Sequence, residues 1–251
     1  MGSEAAALLL AVLIGVSLGA LGSGGSIVTL PILVYVAGVA PKSAVGMSMS
    51  IVGATSLIGC ILHWRRGNFL LRTAVLFCVT GIPGAYLGSL ATHLVSSQVL
   101  LLLFSGLMLV VGSLMLAGKR PVVEAPSAPT SVARCLATGF VVGLVTGFLG
   151  VGGGFLIVPS LIWFAGVDTR RAIGTSLGII AVNTASGLVG QLRYAHWDWL
   201  VAGQFFLCSL LGMAFGISIC TKVPARTLSK AFACAVLAVA FGIGWQVLRR
   251  G

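Results

Sequence analysis

From Ala5 to Pro41 the chain carries no Asp, Glu, Lys or Arg, and five more such runs follow: Ser43 to Trp64, Thr73 to Gly118, Cys135 to Val167, Ala172 to Leu192 and Trp199 to Thr221. A charge-free apolar run of about 18 or more residues is long enough to cross bilayer hydrocarbon as a helix. Soluble domains carry charge on about a quarter of their residues. Here the share is 8%, with 58% hydrophobic residues and a mean hydropathy of +1.14, more apolar surface than a water-soluble core of this size can hide. The expected fold class is an all-α polytopic membrane protein, multi-pass in the cell inner (plasma) membrane.

Fifteen Lys and Arg against four acids, a net charge of +11, would suggest nucleic acid in a soluble chain. The basic residues sit mostly between the apolar runs, where membrane topology places them, so no nucleic-acid partner is expected. The opening Met1-Gly-Ser-Glu4 has no positive n-region, and no clear cleavage pattern follows it. The first run is therefore expected to be retained rather than removed as a signal peptide. The six cysteines show no C-x-x-C spacing and lie mostly inside apolar runs, so no disulfide framework, metal or cofactor is expected.

Sliding the chain on itself so that Gly15 falls on Gly143, an offset of 128 positions, aligns two halves without a gap. Gly19, Leu21, Gly22, Gly24 and Gly25 then meet Gly147, Leu149, Gly150, Gly152 and Gly153, and Pro31 meets Pro159. Gly46 and Ser48 meet Gly174 and Ser176, Gly59 meets Gly187, Arg65 meets Arg193, and Gly84 and Gly88 meet Gly212 and Gly216. Repeat 1 is placed at 1–117, with apolar segments at about 5–40, 43–63, 73–91 and 99–117. Repeat 2 is placed at 132–251, with segments at about 133–167, 172–192, 199–220 and 228–248. Residues 118–131 between them hold three prolines and small polar residues and read as a cytoplasmic linker.

The first segment of each repeat is too long for one pass, since about 36 helical residues would reach ~54 Å against ~30 Å of hydrocarbon. Each contains a Gly-rich bend followed by a proline, which predicts a broken helix pair entering and leaving by one face. The basic residues support that reading. If both broken segments return to their starting face, one side collects Arg65, Arg66, Arg72, Lys119, Arg120, Arg134, Arg170, Arg171, Lys222, Arg226 and Lys230, leaving Lys42, Arg193, Arg249 and Arg250 on the other. That split is 11 to 4; single crossings by all eight segments give 9 to 6. The better split makes the repeats inverted, a frequent transporter arrangement.

Irregular backbone at membrane depth must face protein or a water-filled cavity, so both bends are expected inside. Broken-helix N-termini offer unpaired N–H groups and partial positive charge, which suits an anion. The candidate substrate-binding residues are thus Gly22, Ser23, Gly24 and Gly25 with Gly150, Gly152, Gly153 and Gly154. Ser48 and Ser176, just after the broken pairs, could complete a pocket or simply pack helices. Asn183, the only Asn inside an apolar run, is either a site residue or a helix-to-helix contact. Gly-x-x-x-Gly pairs at 15/19, 84/88, 143/147 and 212/216 are expected to pack helices closely. Arg65 and Arg193 read first as topology charges, and His196-Trp-Asp198-Trp as an interfacial cluster. Two G-x-S-x-G matches, at Gly15–Gly19 and Gly174–Gly178, come cheaply in a chain with 35 glycines, and no histidine lies deep in a predicted span, so no catalysis is expected.

The duplicated Gly-Pro element at Gly22–Pro31 and Gly150–Pro159, the Ala-x-Gly-x-Ser starts at Ala44–Ser48 and Ala172–Ser176, and the His63-Trp-Arg65-Arg-Gly67 end resemble the sulfite exporter TauE/SafE family, the anion permeases that include sulfonate uptake proteins. The resemblance spans nearly all of the chain outside the linker. It implies secondary transport of sulfite or organosulfonates, coupled to an ion gradient. Gln191 stands where the first half has His63, and Ala195 where it has Gly67, so symmetrical use of those positions is not implied. The expected function is alternating-access transport of a small anion; the rival readings are a passive anion channel and a non-transporting scaffold. The expected partners are that anion and the lipid bilayer, with a homodimer left open.

Overall fold

The computed structural model describes residues 2–22, 24–116, 132–192, 198–219, 230, 233–234 and 236–244. Ser23, the 118–131 linker, Arg193, His196 and parts of the 228–248 segment lie outside the described residues. The elements are α1 (Gly2–Leu21), α2 (Gly24–Pro31) continued by a π-helical turn (Ile32–Val36), α3 (Pro41–Arg65), α4 (Leu71–Ala91), α5 (Ser97–Leu116), α6 (Val132–Leu149), α7 (Gly154–Ala165), α8 (Thr169–Gln191) and α9 (Trp199–Ile219). Residues 236–244 are also helical. Among the described residues six helices are long and apolar enough to cross a membrane, drawn from α3, α4, α5, α6, α8 and α9.

The two long opening runs are not single helices. Helix α1 stops at Leu21, and α2 folds back along it until Gly25 meets the backbone of Ile14. Helix α6 stops at Leu149, and the chain turns through Gly150–Gly153 into α7, bringing Gly153 against Thr146. Gly22, Gly150, Gly152 and Gly153 all have φ between +66° and +74°, the left-handed region that a Cβ penalises. Pro31 ends α2 at the π-helical turn because it cannot donate the next backbone bond. Elsewhere helices start on ordinary signals: Pro41 lies in the first turn of α3, Asp168 caps α8 through Arg170 and Arg171 N–H, and Asp198 accepts from Leu200 and Val201 N–H.

Glycines determine which helices touch. Gly15 and Gly19 of α1 rest on the backbone at Ser209 and Met213 of α9, and Gly212 and Gly216 answer at Val12 and Val16. In the same way Gly143 and Gly147 of α6 rest on Gly81 and Ala85 of α4, while Gly84 and Gly88 meet Phe140 and Leu144. Residue numbers rise together along both contacts, so α1 runs parallel to α9 and α6 to α4. Without side chains between them the backbones close up, gaining dispersion contact where no water can be expelled to drive association. The exchange ties each end of the chain to the other. Thr92 Oγ1 donates to Phe148 O at 2.7 Å and Thr80 Oγ1 to Leu136 O at 2.6 Å, sealing the α4–α6 pair with polar contacts.

Helices α3 and α8 pack antiparallel at the centre. The α3 C-terminal end reaches the α8 start, where Gly174 meets Asn68 and His63 and Thr175 Oγ1 accepts from Leu70 N–H at 3.0 Å. At the opposite end Lys42 Nζ donates to His93 O, and His93 Nε2 bonds Gln191 Oε1 at 2.8 Å. Gln191, fully buried, also donates to Ser89 O at 3.1 Å. This packing gathers Arg65, Arg66, Arg72, Arg134, Arg170 and Arg171 at one end of the bundle, with Lys42 at the other. The outer surface is apolar: Val75, Val79 and Leu87 of α4, Leu103 and Val110 of α5, and Leu207, Leu211 and Phe215 of α9 are all exposed. Such a surface is stable facing lipid and not water.

Candidate functional site

Both glycine turns land on the α3–α8 pair. On α3 the residues Val45, Ser48, Val52 and Ser56 follow helical spacing and share one face. Val45 touches Gly150 and Val52 touches Gly152. On α8 the stripe Ile173, Ser176, Ile180 and Thr184 has the same spacing. Ile173 touches Gly22, and Ile180 and Thr184 touch Gly152. Gly152 is therefore wedged between the two central helices, with the start of α7 directly behind it.

The polar groups here differ from one stripe to the other. Ser176 Oγ has one proton, which it directs to Ile173 O at 2.8 Å and Gly22 O at 3.3 Å. Thr184 Oγ1 donates back to Ile180 O at 2.6 Å or Ala181 O at 3.1 Å. Ser48 and Ser56 are fully buried, yet neither hydroxyl finds a partner. Among the described residues Ser17, Ser50, Ser89 and Ser209 all bond back to their own helix instead. A buried hydroxyl without a partner costs about 1–3 kcal/mol.

The start of α7 adds donors. Its N-cap, Gly153, has no side chain to cap the helix, and its carbonyl accepts from Leu156 and Ile157 N–H at 2.9 Å. The N–H groups of the first turn ahead of these have no carbonyl within the helix. The helix dipole and N–H groups outside the helix's own ladder make this a favourable place for negative charge. Among the described residues no cluster of His, Cys, Asp or Glu could hold a metal ion.

A family model described as sulfite exporter TauE/SafE matches residues 7–243. The chain belongs to the TauE/SafE family. A relative from Xylella fastidiosa, described as a probable membrane transporter protein, is 40% identical over 243 residues, covering 93% of this chain and 92% of its own. The probable membrane transporter protein YunE of Bacillus subtilis is 27% identical, covering 86% and 90%. A probable membrane transporter protein of Methanocaldococcus jannaschii is 27% identical over 195 residues, 73% of this chain and 72% of its own. No solved structure matches the chain. Membership places it in a transporter family and not an enzyme family, and with six candidate spans it is a multi-pass membrane protein.

The TauE/SafE chain brings Gly22, Gly150, Gly152, Ser48 and Ser176 onto the α3 and α8 stripes, with Gly153 and Gly154 at the α7 start. Gly25 lies against α1 instead. Asn183 faces away from the turns, against Gly81 of α4. Its counterpart Thr55 meets Ser209 of α9 through a 2.9 Å hydroxyl pair, so both positions hold a central helix to its neighbour. Asn183 Oδ1 has no hydrogen-bond partner. Ser56 and Thr184 were not singled out from sequence. Their shared position in the 128-residue offset was the available signal, masked by the Ser-for-Thr difference.

Proposed function

We propose that this TauE/SafE protein is a secondary carrier of a small anion, sulfite or an organosulfonate, operating by alternating access between two inverted repeats. The observation that carries the reading is the meeting of two glycine turns on one antiparallel helix pair, beside buried hydroxyls and an uncapped helix start. Broken helices whose N-terminal ends approach the middle of a bundle are the way membrane carriers hold anionic groups. No acidic side chain lies in the described parts of the central helices, which leaves an anion without a repelling carboxylate.

Inversion draws support from helix direction. Helices α3 and α8 occupy equivalent positions under the 128-residue offset and run antiparallel, and the α1–α9 contact has its counterpart in α6–α4. The arginine-rich end then faces the cytoplasm. A reporter active only in the cytoplasm, fused after Gly251, should stay silent; a signal there would mean that the last segment ends inside and the repeats are not inverted.

Purified protein in liposomes tests transport itself. Sulfite, sulfoacetate and thiosulfate would be offered with and without an imposed pH gradient. The expected result is accumulation of sulfite or sulfoacetate above its equilibrium level when a gradient is present. Movement only down the anion's own gradient would make the protein a channel, and no movement of any of the three would sink the transport reading.

A further inference from the structure

We propose that the loop joining α3 to α4, residues 66–70, is a gate that closes the arginine-rich end of the α3–α8 seam, with Phe69 as its plug. The proposal rests on the alternating-access reading above and assigns the closing element at one end of the carrier.

The loop reverses the chain at Gly67, whose φ of +72° suits glycine and whose Cβ position faces open space. Arg66 and Asn68 N–H both donate to His63 O, and Gly67 N–H donates to Trp64 O, so the loop is anchored to the last turn of α3. Its far end is held on α8 by the hydrogen bond from Leu70 N–H to Thr175 Oγ1 at 3.0 Å. Beside that bond the loop lies on two glycines one turn apart. Asn68 O rests on Gly174, and the edge of the Phe69 ring rests on Gly178, where the Cys60 thiol also arrives. The Phe69 ring stacks on exposed Trp64, with centroids 5.2 Å apart. A seat of glycines meets the loop without interlocking side chains, so the two surfaces can part and close again without repacking either helix.

The groups behind the loop oppose its closure. His63 Cβ and Asn68 O meet the same glycine, Gly174, and both His63 ring nitrogens are buried without a hydrogen-bond partner. A neutral imidazole has one nitrogen that donates and one that accepts, so the closed loop leaves both unsatisfied, which destabilises it. Two turns deeper on α3 the Ser56 hydroxyl is buried in the same condition. Lifting the loop admits water to His63 and removes that penalty, while breaking the Leu70 bond and the Phe69 contacts. Terms that favour opening and closing therefore act on one short segment, which is the balance a two-position element requires.

Two measurements on the full-length protein in proteoliposomes test the gate. The first is the rate at which 2-sulfonatoethyl methanethiosulfonate, a charged thiol reagent that does not cross lipid, modifies Cys60 with no substrate present, read by the mass of the Cys60 peptide. Phe69→Ala should raise that rate at least about 10-fold, while Phe69→Leu, which refills the seat, should stay within about three-fold of wild type. Cys135, buried on α6, should react equally slowly in all three proteins. An unchanged Cys60 rate in Phe69→Ala would overturn the plug, and so would an equal rise at Cys135, which would make Phe69 a residue of the fold at large. The second is hydrogen–deuterium exchange of the peptide containing Leu70, with sulfite or sulfoacetate added at concentrations that support flux. Exchange there should rise at least about three-fold when the anion is carried, while α5 stays unchanged. Flux of either anion with unchanged exchange at Leu70 would overturn the gate and leave the carrier reading standing. No flux of either anion would sink the carrier reading, and the gate with it.

Discussion

Gly152→Val should carry less than about 1% of wild-type flux in proteoliposomes while the protein remains in the membrane, because displacing a site by about 1 Å can cost ~100-fold in rate. Two independent effects act at this position. The backbone sits at φ +66°, where a Cβ costs roughly 1–2 kcal/mol and a β-branched side chain fits worst. An added Cβ would also lie 2.6 Å from Val52 Cγ1 and 3.3 Å from the methyls of Ile180 and Thr184. Those atoms belong to both central helices, so the clash is relieved only by spreading α3 from α8 or by tilting the start of α7. Either movement displaces the second glycine turn from the two central helices that hold it. The glycine contacts of α1 with α9 and of α6 with α4 lie elsewhere, and they hold the chain in the bilayer. A rescue separates packing from backbone strain: Gly152→Ala combined with Val52→Ala removes the nearest colliding atom, and should recover much of the flux lost in Gly152→Ala alone. Wild-type flux in Gly152→Val would remove the second glycine turn from the site.

Much of the helix layout could be read before any coordinates, for a physical reason. Lipid forces backbone groups to be satisfied within a helix, so charge-free runs map directly onto helices: the 43–63, 73–91 and 172–192 segments lie within α3, α4 and α8 to a residue or two. The turns after Leu21 and Leu149 were legible because glycines beside a later proline conflict with a continuous helix. Partner choice was not legible. Gly143-x-x-x-Gly147 announces a close approach but carries nothing to say that α4 and not another helix approaches it. Site polarity was half legible. Ser48 and Ser176 are aligned in sequence and appear equivalent, yet one hydroxyl bonds Ile173 O and Gly22 O and the other has no partner, a difference of side-chain orientation that residue identity does not carry. Asn183 drew notice as a lone amide, but it faces Gly81, a glycine whose missing side chain makes the room for it.

The helix exchange predicts a sharp division among glycines that look alike. Gly15→Leu and Gly147→Leu should each lower the melting temperature by about 6–12 °C, or prevent recovery of folded protein, whereas Gly106→Leu and Gly203→Leu should change it by no more than about 1–2 °C. At Gly15 a Cβ would collide with the carbonyl of Ser209 on α9, and at Gly147 with the carbonyl of Ala85 on α4. These neighbours are backbone and cannot rotate aside, so the helices must separate along the whole contact, losing the close packing that holds membrane helices together. At Gly106 and Gly203 a Cβ meets nothing within 4 Å, and both residues are exposed on the outer surface. A leucine there joins other lipid-facing leucines, and it also favours the helix by removing glycine's backbone entropy penalty of about 1 kcal/mol. Helix propensity alone would make all four substitutions stabilising, and hydrophobicity alone would make them neutral. Only contact between α1 and α9 and between α6 and α4 separates the pairs, so a uniform response across the four variants would contradict the exchange.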